Sequence, residues 1–105
     1  MILRIVKLVF EADQVATFQK IFEEKRNAIR HFEGCTHLEL WQDRNDPCTF
    51  FTYSWWLSEE ALDDYRNSPF FGSLWKTLKL MFAQKAEAWS VNVIRWPETV
   101  PAIEA

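Results

Sequence analysis

The segment from Phe50 to Trp56 places five aromatic residues within seven positions, and it constrains the fold more than any other part of the chain. Apolar side chains occupy both odd-numbered and even-numbered positions of this segment, and these positions lie on opposite faces of a strand. A half-buried strand alternates apolar with polar side chains instead. It therefore predicts a strand in a sheet whose two faces are both covered. In so small a chain helices can cover only one face. We expect the other face to meet a second copy, with Phe51, Tyr53 and Trp55 in a homodimer interface.

Length and charge favour one small domain with no nucleic-acid partner. The chain has 105 residues, 49% of them hydrophobic, which suits a single domain over residues 1–105, with a core over 2–94 and a tail over 97–105. The formal net charge is −3, and Lys and Arg do not gather into a basic patch.

No apolar stretch approaches the roughly 20 residues of a membrane span, and no signal-peptide pattern opens the sequence. We expect a cytoplasmic protein without a membrane partner.

Hydrophobic periodicity and turn residues predict the element order β-α-β-β-α-β. This order is typical of an α+β, ferredoxin-like sandwich, in which helices cover one face of a four-stranded antiparallel sheet. The tail after the last strand is punctuated by proline and could lie across a neighbour. The predicted strands are Ile2–Phe10, Cys35–Asp43, 48 or 49 to Trp56, and Trp89–Trp96; the predicted helices run from an Asp13 cap to Gly34, from Ser58 to Arg66, and from Ser68 to Lys85.

Cysteine, histidine and glycine usage excludes several kinds of site. Cys35 begins one strand of the predicted hairpin and Cys48 lies at its turn, too far apart for a disulfide. The two histidines and two cysteines show no metal-ligand spacing. With two glycines in the chain, no glycine-rich phosphate loop is present. The sequence thus predicts no metal and no resident cofactor, so any chemistry would come from the substrate, a borrowed cofactor, or Tyr, His, Trp and hydroxyl side chains.

Three motifs together form a recognisable pattern. They are Gly34-Cys35 followed by Glu39-Leu40, the turn Asn45-Asp46-Pro47, and a segment that starts at Trp56, continues through Ser58-Glu59-Glu60-Ala61-Leu62 and Tyr65, and ends with Ser68 and Phe71. Over about residues 2–94 the chain resembles the antibiotic biosynthesis monooxygenase family. The resemblance implies a dimeric α/β barrel, formed by two protomers that pack sheet to sheet, with a ligand cavity between sheet and helices in each.

The same resemblance suggests an activity. Family members include oxygenases without a cofactor that act on polycyclic phenols and quinol-like compounds, and a haem-degrading branch. The chain departs from the former at Thr52, where an Asn is expected, and from the latter at Tyr65 and Trp75, where a Trp and a His are expected. Of these two activities, the resemblance favours the first. It implies a monooxygenase that oxidises a small phenol, enol or quinol-like compound with O2 and needs no cofactor.

Residue chemistry suggests roles within such a site. His37 is a candidate catalytic base because its ordinary pKa lies nearest neutrality, and Tyr65 is a second catalytic candidate. Hydrogen-bond donors to the substrate anion could be Tyr65, Tyr53, Thr52 or Ser54. The predicted substrate-binding residues are Thr52, Ser54, Trp56 and Trp75.

Other interpretations stay open at this stage. The protein could be a dimeric binder of a hydrophobic metabolite or quinone without catalysis, or a haem protein with His37 or His31 as axial ligand. Trp56 and Trp75 could simply be core residues. The register of the hairpin decides the place of His37: if Asp43 opposes Cys48, His37 shares a face with Trp56. A shift of one residue moves it to the face of Tyr53 and Trp55.

Overall fold

A four-stranded antiparallel sheet in the order β2-β3-β1-β4 carries the helices on one face in the computed structural model, which describes residues 1–95. The predicted α+β, ferredoxin-like fold is confirmed. In the single chain the sheet is open, with β2 and β4 at its edges, so a closed barrel would require a second chain. The elements are β1 (Ile2–Val9), α1 (Val15–Arg30, preceded by a 3-10 turn at Ala12–Gln14), β2 (Cys35–Gln42), β3 (Thr49–Trp56), α2 (Glu59–Arg66), α3 (Pro69–Lys79) and β4 (Glu87–Val91).

The hairpin register places His37 opposite Trp55 and Leu38 opposite Ser54. Of the two registers that the sequence left open, the structure adopts the second. A bulge between Cys35 and His37 lets Cys35 still pair with Trp56. Such a bulge adds a residue to one strand and changes the face on which the following side chains lie.

Strand β3 lies between β1 and β2, and its two faces have different surroundings. Phe50, Ser54 and Trp56 on the helix-covered face are buried. On the other face, Phe51, Tyr53 and Trp55 are only partly buried. We call this second face the open face. It agrees with the expectation that helices cover a single face, while the predicted second copy stays a prediction.

Serine caps define the two helices after the hairpin, as the sequence predicted. The Ser58 hydroxyl accepts a hydrogen bond from the Ala61 amide at 3.1 Å, and the Ser68 hydroxyl accepts one from the Phe71 amide at 3.1 Å. Side-chain oxygens at this position satisfy an otherwise unpaired N–H of the first turn. Pro69 follows at the start of α3, where its missing N–H costs nothing.

Three predicted boundaries were wrong. Asp13 does not cap α1; it lies in the 3-10 turn, and the cap position is Gln14 without a side-chain hydrogen bond. Helix α3 ends at Lys79, because the chain then pairs with the end of β1: the Ala83 amide donates to the Val9 carbonyl at 2.8 Å. Strand β4 consequently starts at Glu87 and ends at Val91.

Trp96 and the tail over 97–105 lie outside the described residues. Cys35 and Cys48 are free thiols, as the hairpin geometry predicted. Within residues 1–95 no helix combines the length and apolar character needed to cross a membrane.

Gly34 provides a test of how the hairpin is joined to α2. Its φ is +89°, its carbonyl accepts from the Leu57 amide at 2.9 Å, and an added Cβ would clash with the Ala61 side chain. We expect Gly34→Ala to lower the free energy of unfolding by about 2–4 kcal/mol through strain and overpacking. Chemical denaturation at fixed protein concentration measures it.

Gly72 supplies the matched control for this experiment. It lies inside α3 with no atom near the position of an added Cβ. Gly72→Ala should therefore raise the free energy of unfolding by about 0.5–1 kcal/mol. An equal effect of both substitutions would contradict the role assigned to Gly34.

Candidate functional site

A cavity of about 270 Å³ lies between the sheet and the helices. Its volume is close to the lower end of the roughly 300–1,000 Å³ typical of small-molecule sites. Aliphatic and aromatic side chains form most of its wall, including Phe22 from α1, Leu62 from α2 and Leu74 from α3. Such a wall favours an apolar, flat ligand of modest size.

The sheet side, or floor, of the cavity is formed mainly by two rows of residues that run across the strands, of which Arg4, Leu38 and Ser54, and then Val6, Thr52 and Ala88, line the cavity. Cross-strand pairing aligns Leu38, Ser54, Arg4 and Ser90 in one row, and Leu40, Thr52, Val6 and Ala88 in the next. Paired residues lie on the same face of the sheet. The first row concentrates polar groups, and the second offers only the hydroxyl of Thr52.

Ser54 and Trp56 are connected within the wall. The indole N–H of Trp56 donates to the Ser54 hydroxyl oxygen at 2.9 Å, and both side chains are buried. Trp56 is 1% exposed, so its N–H needs an internal acceptor. Ser54 provides that acceptor on a face that is otherwise mostly apolar.

Tyr65 extends this group from α2. Its ring stacks on Trp56 with centroids 4.8 Å apart, and Phe71 contacts it edge-on at 5.0 Å. Burial, and then the neighbouring Cys35 thiol, raise the pKa of Tyr65 above its ordinary value. The phenol therefore stays protonated at neutral pH and can donate a hydrogen bond, but it cannot act as a base there.

Trp75 forms the opposite part of the wall. It stacks on Phe71 with centroids 5.6 Å apart and meets Phe82 edge-on at 5.5 Å. The indole lines the cavity while remaining part of the packing between α3 and the segment after it. Its predicted contact with a ligand and the plainer core interpretation are therefore compatible.

The structure brings five of the predicted site residues together and leaves two apart, since His37 and the candidate donor Tyr53 both lie on the open face. Thr52, Ser54, Trp56, Tyr65 and Trp75 all line the cavity. What they bind stays a prediction.

His37 lies on the open face and does not line the cavity. Its ring packs at 4.8 Å from Trp55, and its Nε2 lies 2.5 Å from a Glu39 carboxylate oxygen. The same carboxylate accepts from the Trp41 indole at 2.8 Å. These hydrogen bonds, that of His37 first, lower the pKa of Glu39. The sheet separates His37 from the cavity, so the base role predicted for it has no geometric support there.

His31 is also remote from the cavity. It follows the last residue of α1, where its Nδ1 lies 2.9 Å from the Asn27 carbonyl oxygen. The described cavity wall thus contains no imidazole and no carboxylate. Residues 1–95 also hold no group of three or more His, Cys, Asp or Glu side chains placed to bind a metal ion.

Arg4 and Arg66 line the cavity and were missed by sequence reasoning. Arg4 lies on the same face of β1 as Val6 and Leu8, while Lys7 lies on the opposite face. A cation on each face of β1 gave no indication of which face was internal. Arg66 ends α2, where a basic residue has an ordinary explanation in the helix dipole.

The open face carries its own aromatic surface. Trp41 stacks on Tyr53 with centroids 4.8 Å apart, and Tyr53 meets Trp55 edge-on at 6.3 Å. Trp41 is 39% and Trp89 44% exposed in the single chain. A wide aromatic surface of this kind is typical of a protein interface.

The comparison with family models agrees with this architecture. The model described as antibiotic biosynthesis monooxygenase matches residues 1–74, which is more than half of the chain. The chain belongs to the antibiotic biosynthesis monooxygenase family. The expectation drawn from the Trp56–Phe71 pattern is thereby confirmed. A comparison with curated proteins found no match.

Solved structures share the fold of this family member at low sequence identity. A crystal structure of an antibiotic biosynthesis monooxygenase is 18% identical with a TM-score of 0.84, covering 90% of this chain and 100% of the other. A conserved protein from Methanosarcina mazei is 20% identical with a TM-score of 0.80, covering 87% and 91%. A variant of SnoaB, a cofactor-independent oxygenase from Streptomyces nogalater, is 14% identical with a TM-score of 0.80, covering 96% and 97%. At these identities the similarity shows the fold.

The raised pKa of Tyr65 predicts a pH dependence of stability. Unfolding returns Tyr65 to a pKa near 10, so above that pH the unfolded chain has released a proton that the folded protein retains. The free energy of unfolding should then fall by up to about 1.4 kcal/mol per pH unit for this group, and its full contribution is present below pH ~10.

Tyr65→Phe keeps the ring contacts and removes the titration. Chemical denaturation between neutral and strongly alkaline pH should show a shallower loss of stability in Tyr65→Phe than in the native protein. Identical pH profiles would mean that the Tyr65 hydroxyl is not buried as described.

Proposed function

We propose that this protein oxidises an electron-rich phenol, enol or quinol-like aromatic compound with O2 in the described cavity, without a cofactor. The observation that carries the proposal is the connected group of Ser54, Trp56 and Tyr65 in the wall of an apolar cavity. It combines two hydroxyl groups with an indole ring, and all three side chains are buried. Family membership and the fold shared with a cofactor-independent oxygenase support it.

The substrate itself can supply the electrons for such a reaction. An aromatic enol loses a proton, and its anion transfers one electron to O2. The two radicals combine into a peroxide at the ring carbon, and loss of water from the peroxide leaves a carbonyl group. One oxygen atom enters the product and the other leaves as water, so the four electrons that reduce O2 all come from the substrate and no external reductant is required.

The protein's part in this scheme is to bind, to donate hydrogen bonds and to exclude water. Tyr65 donates from its protonated phenol to the oxygen anion of the substrate, where charge develops. The hydroxyls of Thr52 and Ser54 are further donors on the cavity floor. Trp75, which is only partly buried, provides a flat apolar surface against which an aromatic ring packs, and Trp56 belongs to the same cavity wall.

A second candidate function is binding of a hydrophobic metabolite or quinone without turnover. It is favoured by the cavity wall itself, whose described residues include no imidazole or carboxylate that could act as a base. A catalysed reaction would then depend on ionisation of the substrate with transfer of its proton to solvent. Neither His31 nor His37 lines the cavity, so neither is placed to act as an axial haem ligand there.

Oxygen consumption tests the proposed reaction. With metal-stripped protein and anthrone as probe, we expect uptake of one O2 per anthraquinone formed, above the rate in buffer. Tyr65→Phe should lower the rate by about a hundredfold, the effect typical of losing an oxyanion donor. An oxygen electrode and the absorbance of the quinone measure both quantities.

Tyr53→Phe is the matched control, since it removes the same atom from the open face. It should leave the rate unchanged. If a panel of anthrone, 1-naphthol and 1,4-dihydroxynaphthalene binds saturably but shows no O2 uptake above buffer, the binding function replaces the oxygenase.

The homodimer remains the proposed partner. We propose that the open faces of two copies pack against each other about a two-fold axis, which requires a surface that complements itself. Tyr53 and Trp55 pair across strands with Ile5 and Leu3, forming an apolar centre. Lys7 and Glu87 pair at one end of it, and Glu39 lies on the edge strand. An apolar centre bounded by charges is typical of such interfaces.

Tyr53→Glu tests this arrangement by burying a charge at the centre of the interface. The native protein should sediment as a dimer in analytical ultracentrifugation at micromolar concentration, and Tyr53→Glu should shift it to the monomer. Leu80→Glu is the control, because Leu80 is 86% exposed at the end of α3 and lies away from the open face. A native monomer under these conditions would contradict the proposal.

A further inference from the structure

Two arginines from different elements line the same apolar cavity. Arg4 belongs to the polar row of the cavity floor, between Ser54 and Ser90, and Arg66 is the last residue of α2. Both residues are part of the cavity wall. Arg4, Arg66 and Tyr65 are the ionisable groups among its described residues.

The cationic charge at this place exceeds the anionic charge that accompanies it. Arg4 donates from Nη1 to the Ser90 hydroxyl oxygen at 3.0 Å, and no carboxylate of residues 1–95 forms an ion pair with it. Arg66 donates from Nη2 to Asp63 Oδ1 at 2.7 Å. Two cations therefore share one nearby carboxylate, which leaves a net positive charge facing the cavity.

Arg4 is held there at an electrostatic cost. Burial, and then the like charge of Arg66, lower the pKa of Arg4, while Asp63 acts in the opposite direction. A guanidinium remains charged despite such shifts. Like charges beside a cavity of low polarity repel each other, and an anion bound between them would relieve this repulsion.

The contacts of both arginines leave room for a ligand. A guanidinium has five N–H donors in a planar fork, which suits bidentate binding of a carboxylate or of another oxygen anion. Arg4 uses its Nη1 on a neutral hydroxyl. The Arg66–Asp63 pair is 43% and 45% exposed, and an ion pair this exposed holds its geometry weakly. Arg66 can thus turn toward a ligand anion at little cost.

We propose that the cavity selects aromatic ligands that carry an anionic oxygen, with Arg4 and Arg66 binding the anion while the ring system packs against the wall that contains Trp56, Tyr65 and Trp75. This inference deepens the proposed function, on which it rests for the use of the same cavity. A cation beside a phenol or enol lowers the pKa of that group. The arginines therefore favour the ionised substrate in a site whose described wall offers no base.

Binding of two matched probes tests the proposal in the native protein. 2-Naphthoate and 2-naphthamide have the same ring and nearly the same size, but only the former carries a negative charge. Isothermal titration at neutral pH should show at least about tenfold tighter binding of 2-naphthoate. The preference should shrink at high salt, because ions screen the charge of a partly exposed site.

Substitutions then assign the preference to the two arginines. Arg4→Met and Arg66→Met retain a long apolar stem without charge, and each should lower the affinity for 2-naphthoate about tenfold while leaving 2-naphthamide within about twofold. Arg26→Met is the matched control, since Arg26 pairs with Glu23 on α1 and does not line the cavity. Trp41→Ala on the open face should also leave both affinities unchanged.

The outcomes separate this inference from the function on which it rests. Equal affinity for both probes, or a preference that survives in both arginine variants, overturns the anion site while leaving an apolar cavity that can still serve the oxygenase. Absence of binding for both probes overturns the inference together with the proposed use of the cavity.

Discussion

The alignment of β3 with its two neighbours decides the character of both sides of the sheet. Ser54 lies opposite Leu38 on one side and opposite Arg4 on the other, and this pairing sets the alignment of β1 with β3 and of β2 with β3 from His37 onward. Since side chains alternate strictly, a slip of one residue would exchange the helix-covered set with the open set. Thr52 and Trp56 would then leave the cavity, and Tyr53 would enter it. The cavity, its hydroxyl donors and the aromatic outer surface all depend on this one alignment.

The bond between Trp56 and Ser54 shows how the core and the site share residues. A tryptophan that is 1% exposed would leave a costly unsatisfied N–H without an acceptor. The serine that accepts from it also lies in the polar row beside Arg4, where a ligand would approach. The same contact therefore stabilises the interior and orients a hydroxyl of the site. This explains why a polar residue interrupts the aromatic segment at that position.

Much of the fold and part of the site follow from sequence, for identifiable reasons. The β-α-β-β-α-β order of elements predicted a sheet covered on one face by helices, and Ser58 and Ser68 marked the helix starts through their capping chemistry. The two-sided aromatic pattern of β3 predicted cover on the second face as well, by another copy, and that part stays a prediction. Long-range pairing was beyond local pattern: the end of α3 is set by the contact of Ala83 with Val9, and the face of His37 by a bulge. Arg4 was missed because β1 carries a basic residue on each face, Arg4 on one and Lys7 on the other.

The composition of the cavity wall has a consequence for how its chemistry would respond to acidity. Its described residues include arginines, which hold their charge throughout the physiological range, and a tyrosine whose proton is retained more firmly than usual. Neither changes state between mildly acidic and mildly alkaline solution. The midpoint of a pH–rate or pH–affinity curve measured on this protein would consequently report the pKa of the ligand. Such a curve then helps to identify an unknown natural ligand.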